Sequence, residues 1–154
     1  LRLAREATPV VTTADTPFTF GKAEVYRQGT DVTIVATGTM VYQALVAADK
    51  LSKDGIEAEV INAAVIKPLD NHTIIASARK TGAVVTAEEA QITGGLGGAV
   101  AEVLGEQRPT PLTRIGVQDE FGQSGAPTEL LEHYRLMADD IAQAAKKVIK
   151  RKTS

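Results

Sequence analysis

Glu88 and Glu89 stand side by side shortly before four glycines in five positions, Gly94, Gly95, Gly97 and Gly98. Paired carboxylates can move protons or hold a cation, and a glycine turn leading into a helix can cradle a phosphate on bare backbone N–H groups. The segment Gly82–Glu106 opens with a short apolar strand, Ala83–Thr86, and closes with Leu96, Val100, Val103 and Leu104 at helical spacing. Adjacent residues on a strand point to opposite faces, so the two glutamates are not a catalytic pair. A structural or interface role fits both, with one of them accepting hydrogen bonds from the following helix N-terminus. Direct ligand contact is the alternative. A dinucleotide fingerprint needs Gly-x-Gly-x-x-Gly and an acid about 20 residues on, at the end of the next strand. Here Gly95 and Gly97 are followed by Val100 in the third position, the next strand ends in Val117-Gln118, and no P-loop lysine is present. These glycines read first as a sharp turn with close helix–strand packing.

Other reactive side chains are sparse. His72 and His133 have no second histidine at metal-ligand spacing and read as ordinary surface or half-buried residues. Ser124 sits in Gly122-Gln123-Ser124-Gly125, not in a Gly-x-Ser-x-Gly elbow, so a turn or the N-cap of the next helix suits it better than nucleophilic attack. With no cysteine, there is neither a thiolate nucleophile nor a disulfide framework. Five of the seven residues Lys146–Lys152 are basic, which suits the negative end of a helix and a solvated tail. From the residues alone no catalytic, cofactor-binding or metal-binding residue is assigned. The chain reads as a binding or assembly domain.

The elements that must position these groups follow from pattern and composition. The chain has 154 residues, 44% of them hydrophobic but only 4% aromatic, which favours a Val/Ile/Leu/Ala core such as a parallel sheet under Ala-rich helices. A net charge of −2 argues against nucleic-acid or membrane-surface binding, and no apolar run approaches the ~20 residues of a membrane span. The first residue is Leu1, and Leu1–Arg5 alternates like a strand ending a preceding unit, so the sequence reads as a piece of a longer polypeptide. Glu6–Gly21, with Pro9, Pro17 and five threonines, reads as an extended linker. Strands are expected at Ala23–Arg27, Val32–Ala36, Ile56–Ile61, Ala83–Thr86 and Leu112–Val117. Helices are expected over Val41–Lys53 with Gly55 just past its end, from an Asp70 cap to about Lys80 with Gly82 as its stop, after the glycine turn, from Pro127, and over about Asp139–Lys150. Strands alternating with helices specify a doubly wound α/β sheet.

Taken together, Phe20-Gly21-Lys22-Ala23, Asp31–Met40, Val60–Asp70, Val85–Val100 and Arg114–Gly125 resemble the C-terminal domain of transketolases, above all the separately encoded C-terminal subunit of split bacterial and archaeal enzymes. The resemblance runs from about residue 18 to 150. The same superfamily includes 1-deoxyxylulose-5-phosphate synthase and the β subunits of 2-oxoacid dehydrogenase E1 components. Asp119–Gly125 (DEFGQSG) looks most like transketolase, because the synthase commonly has a His before the corresponding glycine.

The resemblance implies a three-layer α/β/α sandwich on a mixed five-stranded sheet, mainly parallel, with Ala23–Arg27 as the antiparallel edge strand. It implies residues 1–22 as the end of a pyrimidine-binding domain plus linker, 23–150 as the C-terminal domain, and 151–154 as a basic tail. The strands ending at Thr37 and Thr86 would lie side by side at the switch point. Thr37, Gly38, Glu88, Glu89, Gly94, Gly95, Gly97, Gly98 and Ser124 are the crevice or interface candidates. The implied enzyme transfers a two-carbon ketol unit between sugar phosphates with thiamine diphosphate and Mg²⁺. The groups that bind and activate that cofactor belong to upstream domains or a partner subunit, so this piece is expected to bind no cofactor and to be inactive alone. A cytoplasmic homodimer or heterotetramer is implied, with a regulatory site suggested for this domain. A free-standing ligand-binding module is the alternative from another class. Two departures from the family pattern are Ala90, where relatives often carry His, and Met137-Ala138 before the last helix, where relatives usually have Thr; the cap is then expected from Asp139 or to be weaker.

Overall fold

The computed structural model describes residues 7–152, so the strand expected at Leu1–Arg5 and the last two residues of the tail lie outside the described residues. Five strands form one sheet in the order β1-β3-β2-β4-β5. They are β1 (Glu24–Arg27), β2 (Val32–Ala36), β3 (Ala58–Asn62), β4 (Val84–Gln91) and β5 (Leu112–Val117). Only β1 is antiparallel, pairing Val25 with Ile61 on β3, while the other pairs are parallel. The helices are α1 (Met40–Lys53), α2 (Asn71–Thr81), α3 (Leu96–Gln107), α4 (Pro127–His133) and α5 (Ala138–Ile149). The expected mixed five-stranded α/β/α sandwich is what the chain forms.

Period-2 alternation in fully buried strands gives each sheet face its own core. On one face Val32, Ile34, Val60 and Val85 pack under α1 and α5 with Met40, Leu51, Ile141 and Val148. On the other, Val35, Ile61 and Val84 pack under α2 and α3 with Ile74, Ala78, Leu96 and Val100. The chain passes from β2 to β3 in one direction and from β3 across to β4 in the other, so the C-terminal ends of β2 and β4 are neighbours. That divergence opens a crevice in doubly wound sheets.

The second face also buries polar groups that the sequence pattern does not advertise. Glu59 on β3 is 2% exposed and accepts from Ser77 and Lys80 of α2. Thr33 on β2 meets Ser77 at 2.6 Å and Thr81 at 2.7 Å, completing a hydrogen-bonded seam between sheet and helix. Buried polar atoms keep their place only when partnered in this way.

Element boundaries shift from expectation for identifiable reasons. β1 starts at Glu24 because the Ala23 N–H is taken by Asp70 Oδ2 at 3.2 Å. β3 starts at Ala58 because Glu57 is engaged by the preceding turn: its carbonyl accepts from Thr30 and Asp31, and its N–H donates to Asp31. β4 runs on to Gln91, where it pairs with Val117 beyond an irregularity, so the glutamates lie within the strand and not past it. The last helix starts at Ala138, and Asp139 is not its cap. Asp140 Oδ2 accepts the Met137 N–H at 3.1 Å, Gln43 of α1 accepts the Ala138 N–H at 3.0 Å, and Asp139 pairs with Lys50. Arg151, expected in a solvated tail, donates to the Leu112 carbonyl at 3.1 Å.

Asp70 is the N-cap of α2 as expected, accepting from the Thr73 N–H and hydroxyl, and Gly82 ends the helix at φ 70°. Burial pushes the Asp70 carboxyl up, but the hydrogen bonds from Ala23 and Thr73 and the Lys22 charge outweigh it, holding it below the ordinary value of 3.8. A depressed folded-state pKa stabilises the fold above the unfolded-state value, and that contribution is lost as pH falls through the folded one. Asp70→Ala is expected to cost about 1–2 kcal/mol near neutral pH. In urea titrations of both forms the difference should shrink as pH drops below 3.8; an undiminished gap there contradicts this account of Asp70.

Candidate functional site

At the switch point Ala36 of β2 lies in register with Ala87 of β4, which brings Thr37, Gly38 and Thr39 beside Glu88 and Glu89. The two glutamates do diverge. Glu88 faces α3 and is 1% exposed, whereas Glu89 is exposed and accepts from Thr39 Oγ1 at 2.6 Å. That bond clasps the loops after β2 and β4 together.

Glu88 fills the N-terminus of α3 from the sheet side. Its Oε2 accepts the Leu96 N–H at 2.8 Å and its Oε1 accepts the Gly97 N–H at 2.8 Å. The helix has no cap from its own N-cap residue, Gly95, so a tertiary carboxylate supplies the two acceptors. Space for that carboxylate exists because Gly95 has no side chain: a Cβ there would come within 2.8 Å of Glu88 Cδ. Gly97 plays a second part, since a Cβ on it would lie 2.9 Å from both Arg114 Cδ and Thr86 Oγ1. Arg114 runs past Gly97 and donates to the Ile92 carbonyl at 2.9 Å. Thr86 Oγ1 is buried beside it without a hydrogen-bond partner among the described residues. Gly94 and Gly98 have open space where a Cβ would stand.

Of the sequence candidates, Thr37, Gly38, Glu88, Glu89, Gly94, Gly95, Gly97 and Gly98 therefore gather around one junction. Ser124 does not share its hydrogen bonds. It lies in an exposed loop, and it is not the N-cap of α4 either: Ala126 occupies that position, its N–H held by Glu129 at 3.2 Å. His72 and His133 are exposed. No group of three or more His, Asp or Glu side chains suited to a metal ion occurs among the described residues. A diphosphate seeking the N–H groups of α3 would find Glu88 already on them, so the junction does not fit thiamine diphosphate.

One feature escaped the sequence reading. The linker folds back over the switch point, leaving a cleft of about 260 Å³ between residues 8–12 and Gly38, Thr39 and Tyr42. Nothing in an unpatterned Thr/Pro-rich stretch signals where it will lie.

The family pattern "Transketolase, C-terminal domain" matches residues 21–141. The chain belongs to the transketolase C-terminal domain family. It is 49% identical over 152 residues to the 6-deoxy-6-sulfo-D-fructose transketolase subunit SqwH of Clostridium sp. (strain MSTE9), covering 99% of this chain and 47% of that protein. It is 46% identical over 129 residues to the 1-deoxy-D-xylulose-5-phosphate synthase of Heliobacterium modesticaldum, covering 83% of this chain and 20% of the synthase. A solved split-gene transketolase, described as an inactive beta4 tetramer, superposes with a TM-score of 0.93 at 48% identity, covering 97% of this chain and 49% of that one. The chain thus spans about half the length, or less, of the relatives it matches.

The geometry separates the glycines by role. Gly95→Ala should destabilise the domain by about 1–3 kcal/mol, because the new methyl must displace Glu88 from the α3 N-terminus. Gly98→Ala, in open space on the same helix, should stabilise it by about 0.5–1 kcal/mol. Chemical denaturation of both variants checks the pair, and equal effects would contradict the assignment.

Proposed function

We propose that this chain is the C-terminal domain of a transketolase polypeptide that supports assembly and leaves the chemistry to other domains. The complete enzyme, in this reading, transfers a two-carbon ketol unit between sugar phosphates with thiamine diphosphate and Mg²⁺. The cofactor is held by an upstream pyrimidine-binding domain and a diphosphate-binding domain or partner subunit, in the cytoplasm. The observation that carries the reading is the 152-residue match to a transketolase subunit, which extends through the linker, whereas the matched synthase aligns over 129 residues. Glu88 supports the non-catalytic part: its carboxyl group occupies the helix end that a bound diphosphate would need. Self-assembly is part of the proposal, since the similar split-gene chain is described as a beta4 tetramer.

Two measurements test it. Isothermal titration of the 154-residue chain with thiamine diphosphate and Mg²⁺ is expected to show no binding, and micromolar affinity would overturn the non-cofactor role. Ketol transfer from xylulose 5-phosphate is expected only when this chain is joined to the upstream domain and diphosphate-binding partner. Transfer by this chain alone, or its absence in the complete assembly, would overturn the transketolase reading.

A further inference from the structure

A second cleft, of about 250 Å³, lies where the linker crosses the edge of the sheet. Its floor follows from strand geometry. Val25 of β1 pairs with Ile61 of β3, and Ile61 belongs to the core under α2 and α3. Glu24 pairs with Asn62, so alternation sends both to the opposite face, where Tyr26 packs against the core under α1 and α5. On that face α1 packs over β2, β3 and β4, which leaves β1 at the margin. The linker supplies the missing cover. Val11 packs on the same core, and a turn beyond it is closed by the Thr16 hydroxyl, which accepts the Thr13 N–H at 2.8 Å. A cover that only completed the core would meet the sheet through apolar groups. Here it stands over Lys22, Glu24, Tyr26 and Asn62, with Pro17 and Phe18 as an apolar wall.

The polar groups of this cleft are largely uncommitted. The half-buried Glu24 carboxylate has neither an ion pair nor a hydrogen bond among the described residues. Lys22 Nζ stands 4.0 Å from Asp70 Oδ2, and that oxygen already accepts from Ala23 and Thr73. Asn62 Nδ2 donates to the Tyr26 hydroxyl at 3.0 Å, which leaves the Tyr26 O–H and the Asn62 carbonyl oxygen unpartnered among the described residues. One cleft therefore presents an ammonium, a carboxylate, a donor and an acceptor beside an aromatic wall. A simple anion is drawn to Lys22 but repelled by Glu24, and a simple cation meets the reverse. A molecule that carries both charges satisfies both. The volume exceeds the roughly 150 Å³ that holds a benzene ring and falls below the roughly 300 Å³ at which drug-sized sites begin, a size that suits an amino acid.

We propose that this cleft binds a free amino acid as its zwitterion, with Glu24 accepting from the ammonium and Lys22 donating to the carboxylate. The amino acid's own side chain lies against Pro17 and Phe18. Because the roof of the site is the linker, the bound molecule ties that segment to β1 and β3.

Two-dimensional amide NMR of the 154-residue chain, titrated in turn with L-phenylalanine, L-leucine and L-threonine, tests it. At least one is expected to shift the resonances of residues 12–26 and 62–64, with a Kd of about 1 mM or tighter. Silence from all three, or shifts confined to other residues, would overturn the site. For the tightest binder, the analogues that lack the ammonium or the carboxylate are expected to bind on the order of 10-fold more weakly. An acid analogue that binds as tightly as its amino acid would reduce the site to an anion contact of Lys22 and overturn the zwitterion. Binding of D-glucose in place of the amino acids would overturn it in favour of a sugar. Glu24→Gln is expected to weaken the amino acid about 10-fold, leave the acid analogue unchanged or tighter, and keep the wild-type unfolding midpoint. Equal loss of both ligands in that variant would overturn the role given to Glu24.

Discussion

A carboxyl group with 1% exposure must find donors inside the protein, and Glu88 finds them at the first two N–H groups of α3. Much of the switch point follows from that demand. β4 carries Glu88 one residue past Ala87, its last residue paired with β2, and runs on to Gln91 beside Val117 of β5. Residue 95 must lack a Cβ, since any side chain there would occupy the carboxylate's space. Residue 116 on β5 is constrained as well, because a Cβ on Gly116 would come within 3.2 Å of Glu88 Cγ. The buried acid therefore specifies the glycine at the start of α3 and adds to the crowding at Gly116, where Ile92 Cγ2 at 2.7 Å and the Ala90 carbonyl at 2.9 Å already exclude a Cβ.

The same logic organises two other helix N-termini, those of α2 and α5. α2 takes its acceptor from Asp70, which also holds the Ala23 N–H and so fixes the point where the linker becomes β1. α5 takes one acceptor from within its own first turn and another from Gln43 on α1, tying the two helices that share a sheet face. In both helices one of the acceptors, Asp70 for α2 and Gln43 for α5, also joins elements that are distant in sequence. Capping here is a tertiary device, and losing an acceptor would loosen packing as well as the first turn.

What could be read from the sequence, and what could not, divides along the same line. Local pattern was enough for Val32–Ala36, for the helix beginning near Val41, for the Asp70 cap and for the Gly82 stop, because each is decided by residues within a few positions. The alternation of Glu88 and Glu89 to opposite faces was legible for the same reason, as was an acid accepting from the next helix. The division of labour among the glycines was not, since Gly95 and Gly98 differ only in what faces them from β4. Ser124 illustrates the limit. As a small polar residue before Pro127 it looks like a cap, yet Glu129 reaches back to Ala126 and makes it unnecessary. Asp139 fails in the same way, its carboxylate being drawn to Lys50 on another helix. The Glu59–Ser77–Thr33 seam had no local signal at all, because its members come from three elements.

These constraints bear on what a doubly wound domain does with the crevice that its topology creates. The fold places a crevice at the switch point by topology alone, and an empty helix N-terminus there would attract phosphate. Glu88 removes that option from inside, with no bulky side chain needed at the mouth. A Thr39–Glu89 hydrogen bond then helps to join the rims, and the linker lies across the entrance. With the crevice committed to its own architecture, the strand-end face is left to carry apolar side chains outward on the linker and on the pinned loop after β5. Those side chains are costly to leave in water and serve a chain of this family best when another surface covers them. A switch point closed by an internal carboxylate and an apolar rim around it thus share the same end of the sheet.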